Sequence, residues 1–227
     1  MVLNADMLEA ARVMKAPITV YNDNVATIVK PDHTMMYRYN VIEVDSELIN
    51  EETCMFIQVK KKIKANGLVE IIYDYDTDKY FVNGEKSNDI LMWFNKPYFK
   101  KDFDIDNLKA FVINNKNAKK MLYFLKDATS EVSININEEE CFINLWYSWI
   151  WSSWERHRGN ASINIPITQI GEESKWVWVA DKIRRDDLIA AIKILGNNGH
   201  DIYITWYSHI IKMWGAYGEI FIAMKEE

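Results

Sequence analysis

Cysteine is nearly absent from this chain, with two in 227 residues, Cys54 and Cys141. So sparse a pair makes no metal-ligand spacing and no disulfide framework, which points to a reduced, intracellular setting, the cytoplasm. Glycine is scarce too. Its eight copies form neither of the familiar loops that cradle phosphate groups. Long apolar runs are missing, and no stretch approaches the roughly 18 residues that a membrane span needs. The opening "MVLNADMLEAARVMK" lacks the basic start and continuous apolar core of a secretion signal. The four histidines, His33, His157, His200 and His209, share no metal spacing with each other or with cysteine. Neighbouring acids such as Glu138 and Glu140 read as turn residues, and no nucleophile elbow is present. Together these absences argue against an enzyme, and no cofactor or metal is expected.

What the chain does contain is an ordinary globular composition, 49% hydrophobic and 26% charged, with a net charge of −6. Its length allows one large domain or two small ones. An acidic body repels nucleic acid, so any nucleic-acid contact has to be a local basic patch.

Along the chain, "DMLEAARVMK" reads as a helix with Met7, Ala10, Ala11 and Met14 on one face and Arg12 and Lys15 on the other, stopped by Pro17. Three β-rich runs follow, "ITVYND", "NVATIVK" and "MMYRYNVIEVD". The spacing then predicts a second helix, with Met55, Phe56, Val59 and Ile63 inward, Lys60, Lys61 and Lys64 outward, and Asn66–Gly67 as its end. Three further strands, "LVEIIYDY", "KYFVNG" and "NDILMWFN", lead to a connector without clear period over 96–107. After it the order restarts. A strand "LKAFVI" precedes a helix "NKNAKKMLYFLKDA", whose Lys116, Lys119, Lys120 and Lys126 lie opposite Ala118, Met121, Leu122 and Leu125. Strands "SEVSININ", "ECFINLWYSW", "NASINIPI" and "KWVWVAD" follow. Then come a helix "DDLIAAIKIL", acidic at its start and carrying Lys193, and the strands "HDIYITWY", "IIKMWGA" and "EIFIAM".

The pattern of helix, strands, helix, strands thus occurs twice, an internal repeat of about 100–120 residues. It implies an α+β fold of antiparallel sheets, each repeat backed by two helices on one face, with domains at 1–95 and 108–227. Bases gather on the helices, while acids gather in turns and at the tail, as in "YDYDTD", "NEEE", "GEES" and "KEE". Merely solvated helix faces would mix the signs; a segregated basic face suits contact with phosphates that reads no bases.

This order resembles the DNA sliding clamps, of the proliferating-cell-nuclear-antigen and T-even phage types. The likeness is carried by residues 5–45, by "IQVKKKIKANGLVEIIYDYDTDKYFVNG", by "LKAFVINNKNAKKMLYFLKDATSEVSININEEECFI" and by residues 186–227. The resemblance implies a homotrimeric ring with helices lining the hole, encircling double-stranded DNA and tethering a DNA polymerase, opened by a clamp-loader ATPase. Its DNA contacts would be Arg12, Lys15, Lys60, Lys61, Lys64, Lys116, Lys119, Lys120, Lys126 and Lys193. Its partner pocket would be His33 and Thr34, then Pro97, Tyr98 and Phe99 of the connector, then Ala223, Met224 and Lys225. Met224 stands where the family often has proline, which departs from that pocket's pattern. Ring closure in the family pairs strand edges, for which "NDILMWFN" and "NASINIPI" are the candidates. The wealth of Ile, Asn and Lys fits an AT-rich genome such as a phage's.

Two other readings stand beside it. "LWYSWIWSSWERHRG" crowds Trp146, Trp149, Trp151 and Trp154 together. It reads as a strand pair with aromatic faces, or as the site of a non-ring module that binds a carbohydrate or protein. A clamp-like fold that works as a monomer, as in herpesvirus processivity factors, is the third possibility.

Overall fold

In the computed structural model, the residues described are 1–41, 43–44, 49–63, 67–97, 109–137, 141–150, 158–171, 177–196, 199–207, 209–216 and 218–224. The chain divides into two compact units, Met1–Asp104 and Ile105–Glu227.

The first unit begins with β1 (Val2–Asn4) and α1 (Ala5–Met14). Asn4 caps the helix by accepting from the Asp6 amide at 3.1 Å. Lys15, at φ 54°, closes it in the left-handed conformation. Its stripe of Met7, Leu8, Ala10, Ala11 and Met14 is buried. Next come β2 (Ile18–Val20), β3 (Val25–Val29), β4 (Met35–Asn40) and β5 (Cys54–Val59). The unit ends with β6 (Leu68–Asp74), β7 (Lys79–Val82), β8 (Glu85–Ser87) and β9 (Ile90–Asn95). Two antiparallel sheets result, ordered β4-β3-β2-β5-β9 and β1-β6-β7-β8.

The second unit repeats the plan. It runs β10 (Lys109–Ile113), α2 (Asn115–Lys126), β11 (Glu131–Asn137), β12 (Phe142–Ile150), β13 (Arg158–Pro166) and β14 (Thr168–Gly171). After these come β15 (Val177–Arg184), α3 (Arg185–Leu195), β16 (Ile202–Tyr207), β17 (Ile210–Gly215) and β18 (Gly218–Ala223). Its sheets are ordered β13-β12-β11-β15 and β14-β10-β16-β17-β18. In both units the chain makes two passes of strand, connection and three strands, with one further strand, β9 or β14, ending a pass, and the passes trade first strands. Thus β1 joins β6–β8 while β5 joins β2–β4, just as β10 joins β16–β18 while β15 joins β11–β13. A strand committed to the opposite sheet ties the two passes into one core. That core is Met7, Ile18, Ile28, Ile57 and Ile71 in one unit and Phe111, Met121, Ile134, Leu188 and Ile204 in the other, all buried.

The duplication and the α+β architecture follow the sequence reading, with one correction. The expected helix through Met55, Phe56, Val59 and Ile63 does not form. Residues 54–59 are β5, paired with β2 on one side and β9 on the other. Cys54, Met55, Phe56 and Ile57 are all buried, so both faces of the segment are covered. Phe56 stacks on Trp93 at 5.5 Å between ring centres. A short apolar run satisfies helical and strand spacing alike, and here pairing on both sides decides. Among the described residues the first unit therefore holds one helix, α1, rather than two. The second unit holds both of its expected helices. Its α3 ends where the chain must pass close to itself: a Cβ on Gly196 would lie 2.8 Å from the Ile192 carbonyl oxygen.

Candidate nucleic-acid interface

In the second unit the basic surface is built on α2. Asn114 caps it, accepting from the Asn117 amide at 2.9 Å. Ala118, Met121 and Leu125 are buried beneath, so the helical period turns Lys116, Lys119, Lys120 and Lys126 outward, all exposed. Among the described residues none of the four lysines has an ion-pair partner, and no acid occurs within the helix. This pattern works against the helix. Like charges three and four residues apart destabilise it by about 0.2–0.5 kcal/mol per pair. Lys116 also faces the positive end of the helix dipole. Stability therefore does not explain the stripe, whereas a polyanion lying along it would. It runs for roughly 15 Å at 1.5 Å per residue. Tyr123, seven residues after Lys116, lies in the same stripe and is 73% exposed. The sequence reading passed over Tyr123, though its place in the period was visible.

α2 touches α3, which adds the exposed Lys193. Arg185, at the start of α3, donates to the Ala128 carbonyl oxygen at 2.9 Å just past the end of α2 and pairs with Asp186 at 2.9 Å. It therefore joins the two helices and adds little free charge.

In the first unit the basic residues come from α1 and from the connection between β5 and β6. Arg12 and Lys15 are exposed, but Arg12 is engaged: its Nε donates to Glu9 at 2.8 Å, and a second nitrogen contacts the other carboxylate oxygen. That hydrogen bond holds the Glu9 carboxyl below its ordinary value, and the charge of Lys62 lowers it further. Lys62 thus lies within electrostatic reach of α1. The Ala5 amide donates to the Gly67 carbonyl oxygen at 2.8 Å and ties the start of α1 to the end of the same connection. Lys60, Lys61 and Lys62 are all exposed. Lys61 makes a long, exposed pair with Asp89 at 3.5 Å. Lys62 was missing from the expected set because a helical wheel turns it away from Lys60 and Lys61, whereas an irregular connection presents all three. Lys64 lies outside the described residues.

Of the expected partner pocket, His33 and Thr34 form the β3–β4 turn. His33 is in the left-handed conformation at φ 58°, and Asp32 accepts from the Thr34 hydroxyl at 2.8 Å. Pro97 is exposed after β9. Ala223 ends β18, and the Met224 amide donates to the His209 carbonyl oxygen at 2.8 Å. Tyr98, Phe99 and Lys225 lie outside the described residues.

The tryptophan-rich stretch is a strand pair where it is described. Trp146 on β12 lies opposite Ser162 on β13 and is 38% exposed. Trp151 and Trp154 lie outside the described residues, as does the side chain of Trp149. No group of three or more metal-ligating side chains occurs among the described residues. Nor is any described helix long and apolar enough to cross a membrane.

No family model matches the sequence, and no curated protein matches it. Solved structures do match. The chain is similar to a chain of the PCNA2–PCNA3 complex from Sulfolobus tokodaii, with TM-score 0.60 at 11% identity over 98% of each chain. It is similar to the DNA polymerase III subunit beta from Pseudomonas aeruginosa, with TM-score 0.62 at 9% identity, all of this chain covering 65% of that one. It is also similar to a structure of the C-terminal region of FEN-1 bound to A. fulgidus PCNA, with TM-score 0.56 at 13% identity over 100% and 98%. The chain has the sliding-clamp fold.

Proposed function

We propose that this protein is a DNA sliding clamp: a non-enzymatic processivity factor whose copies close around duplex DNA and tether replication proteins to it. The observation that carries this reading is the acid-free lysine stripe of α2 in a chain of net charge −6. Lys193 on α3 extends it, and Lys60, Lys61 and Lys62 form a separate basic patch in the first unit. Such contacts neutralise phosphates without reading sequence. A closed ring is retained by its topology, so each contact need only be weak, and weak contacts permit sliding.

Closure into a homotrimer is supported by the positions of β9 and β13, each at the end of its sheet with one side open to another chain. Each repeat carries exposed basic side chains of its own. The polymerase would dock near Pro97 and the connector, with His33, Thr34, Ala223 and Met224 contributing. A separate clamp-loader ATPase would open the ring. The setting is the replication fork, inside the cell.

The experiment is charge reversal of Lys60, Lys61 and Lys119 together. Retention on circular duplex DNA should fall while the native mass stays that of the assembly. Unchanged retention would sink the assignment of these lysines.

A second reading, a non-ring module that binds a carbohydrate or protein, is favoured by one feature. Trp146 borders a hollow of about 470 Å³ lined also by Ser133, Ser148 and Lys182. A stable monomer by native mass spectrometry would favour it over the ring.

A further inference from the structure

The first unit contains a groove of about 640 Å³ whose walls come from β1, β5, β6, β7 and β9. Its origin lies in the missing helix. In the second unit, β15 is followed by α3, which packs against β15, β17 and β18. The counterpart connection, between β5 and β6, has only residues 60–67, fewer than the 11 residues of α3. Strands β5 and β7, the counterparts of β15 and β17, consequently line a groove instead of seating a helix.

Two properties of the groove indicate what it takes. Its lining is apolar and polar in about equal measure, and it is preorganised. Tyr73 donates to Asp78 at 2.6 Å and meets Tyr75 edge-on at 4.7 Å and Tyr80 at 5.0 Å. The Tyr80 hydroxyl donates to the Met92 carbonyl oxygen at 3.2 Å. Rings fixed in this way lose little freedom when a ligand arrives, while Met55 and Met92 adapt to its shape. Ile72 and Tyr75, 45% and 67% exposed, continue the apolar lining onto the open surface. The second property is charge. Glu43 and Glu70 line the groove and are exposed, no lysine or arginine is among its lining residues, and the Met1 amine that also lines it donates to the Ile71 carbonyl oxygen at 3.2 Å. The turn beside it adds Asp74, Asp76 and Asp78.

We infer that this groove docks a short segment of a partner protein, one whose apolar side chains are followed directly by lysine or arginine. The apolar anchors fill the tyrosine-walled groove, and the basic flank lies against Glu43 and Glu70. The site is separate from the partner pocket discussed above, because none of His33, Thr34, Pro97, Ala223 and Met224 lines it. It also does not depend on the DNA reading.

The test uses the full chain and two labelled synthetic peptides. One carries leucine and phenylalanine followed by three lysines; the other is identical with glutamates in place of the lysines. Fluorescence anisotropy should show the basic peptide binding preferentially. A variant carrying Ile72→Asp and Tyr75→Ser should bind it about tenfold more weakly, as expected for the loss of two apolar contacts at the groove's open side. A variant carrying Glu43→Lys and Glu70→Lys should reverse the preference between the peptides. All four substituted residues are exposed, so the variants fold; unchanged circular dichroism checks this. Equal binding of the two peptides, no binding of either, or undiminished binding by both variants would overturn the proposal. So would a fall in native mass caused by Ile72→Asp and Tyr75→Ser, which would make the groove a contact between copies of this chain.

Discussion

Replacing Lys116, Lys119 and Lys120 with alanine removes three positive charges from the exposed stripe of α2 without disturbing its buried side. Alanine is the best helix former, and the like-charge pairs disappear with the lysines, so α2 should be slightly firmer in the variant. Its effect on DNA binding is therefore cleanly electrostatic. If each lysine neutralises one phosphate, the slope of log Kobs against log salt becomes shallower by about 2.7, at roughly 0.9 per phosphate. Between about 50 and about 200 mM salt that difference amounts to roughly 40-fold. Over this range the parent chain should lose about 40-fold more affinity than the variant. The assay is anisotropy of a labelled linear duplex titrated with the full chain at several salt concentrations. Tyr123→Ala serves as the contrast. A neutral side chain releases no counterions, so its loss should weaken binding at every salt concentration and leave the slope alone. A triple variant with the parent slope would refute phosphate contact by α2. A parent slope near zero would refute nucleic-acid binding altogether.

Other consequences follow from the same structure. Asn160→Lys with Asn164→Lys puts charge on the open edge of β13, and native mass spectrometry should then show the assembly reduced to monomers with circular dichroism unchanged. Phe56→Ala removes a ring stacked on Trp93 in a strand paired on both sides, and denaturant unfolding should record a loss of about 3–5 kcal/mol. The buried Lys212 pairs with Glu219 at 2.7 Å and lies over the rings of Trp214 and Phe221. Glu219→Ala strands that ammonium and should destabilise by about 3 kcal/mol, whereas removing both charges with Lys212→Met and Glu219→Gln should cost far less. Burial pushes the Asp32 carboxyl up, but hydrogen bonds from Thr34 and Lys30 outweigh it and hold the group at about 2 against an ordinary 3.8. Its folded value is depressed, so its stabilisation is complete above the ordinary value and is lost as pH falls through about 2. The melting-temperature gap between the parent and Asp32→Asn should close over that window.

The duplication was legible because its signals are long. The helical period of α2 spans 12 residues, and its buried and exposed sides came out as the spacing of Ala118, Met121 and Leu125 against the lysines required. The resemblance to the clamps, rather than any local pattern, pointed to β9 and β13, each of which ends its sheet. Residues 54–63 were misread for an equally physical reason. In "CMFIQVKKKI" every apolar residue of the first four is buried, on both faces of a central strand, so no amphipathic period exists to be read. The lysines that follow supply a false one. What decides the case is long-range pairing with β2 and β9, which a local pattern cannot contain.

That single substitution of strand for helix changes more than an element count. With a helix between β5 and β6, Lys60, Lys61 and Lys64 would project at fixed angles from a rigid rod, and the faces of β5 and β7 would be covered. With a short connection, three consecutive lysines are exposed on a segment held at Lys60 by the Asp89 carbonyl oxygen at 2.7 Å and at Gly67 by the Ala5 amide. The faces that a helix would have covered then carry Tyr73, Tyr80 and Met55 into an open groove. Both proposed contacts thus turn on one short connection, which carries the lysines and leaves the tyrosine-walled groove open. Inserting a helix-forming segment of α3's length between Lys62 and Gly67 separates the groove from the contact proposed for α2. It should close the groove to the basic peptide while leaving the α2-dependent salt slope intact. Loss of both together would mean that the two sites are not independent.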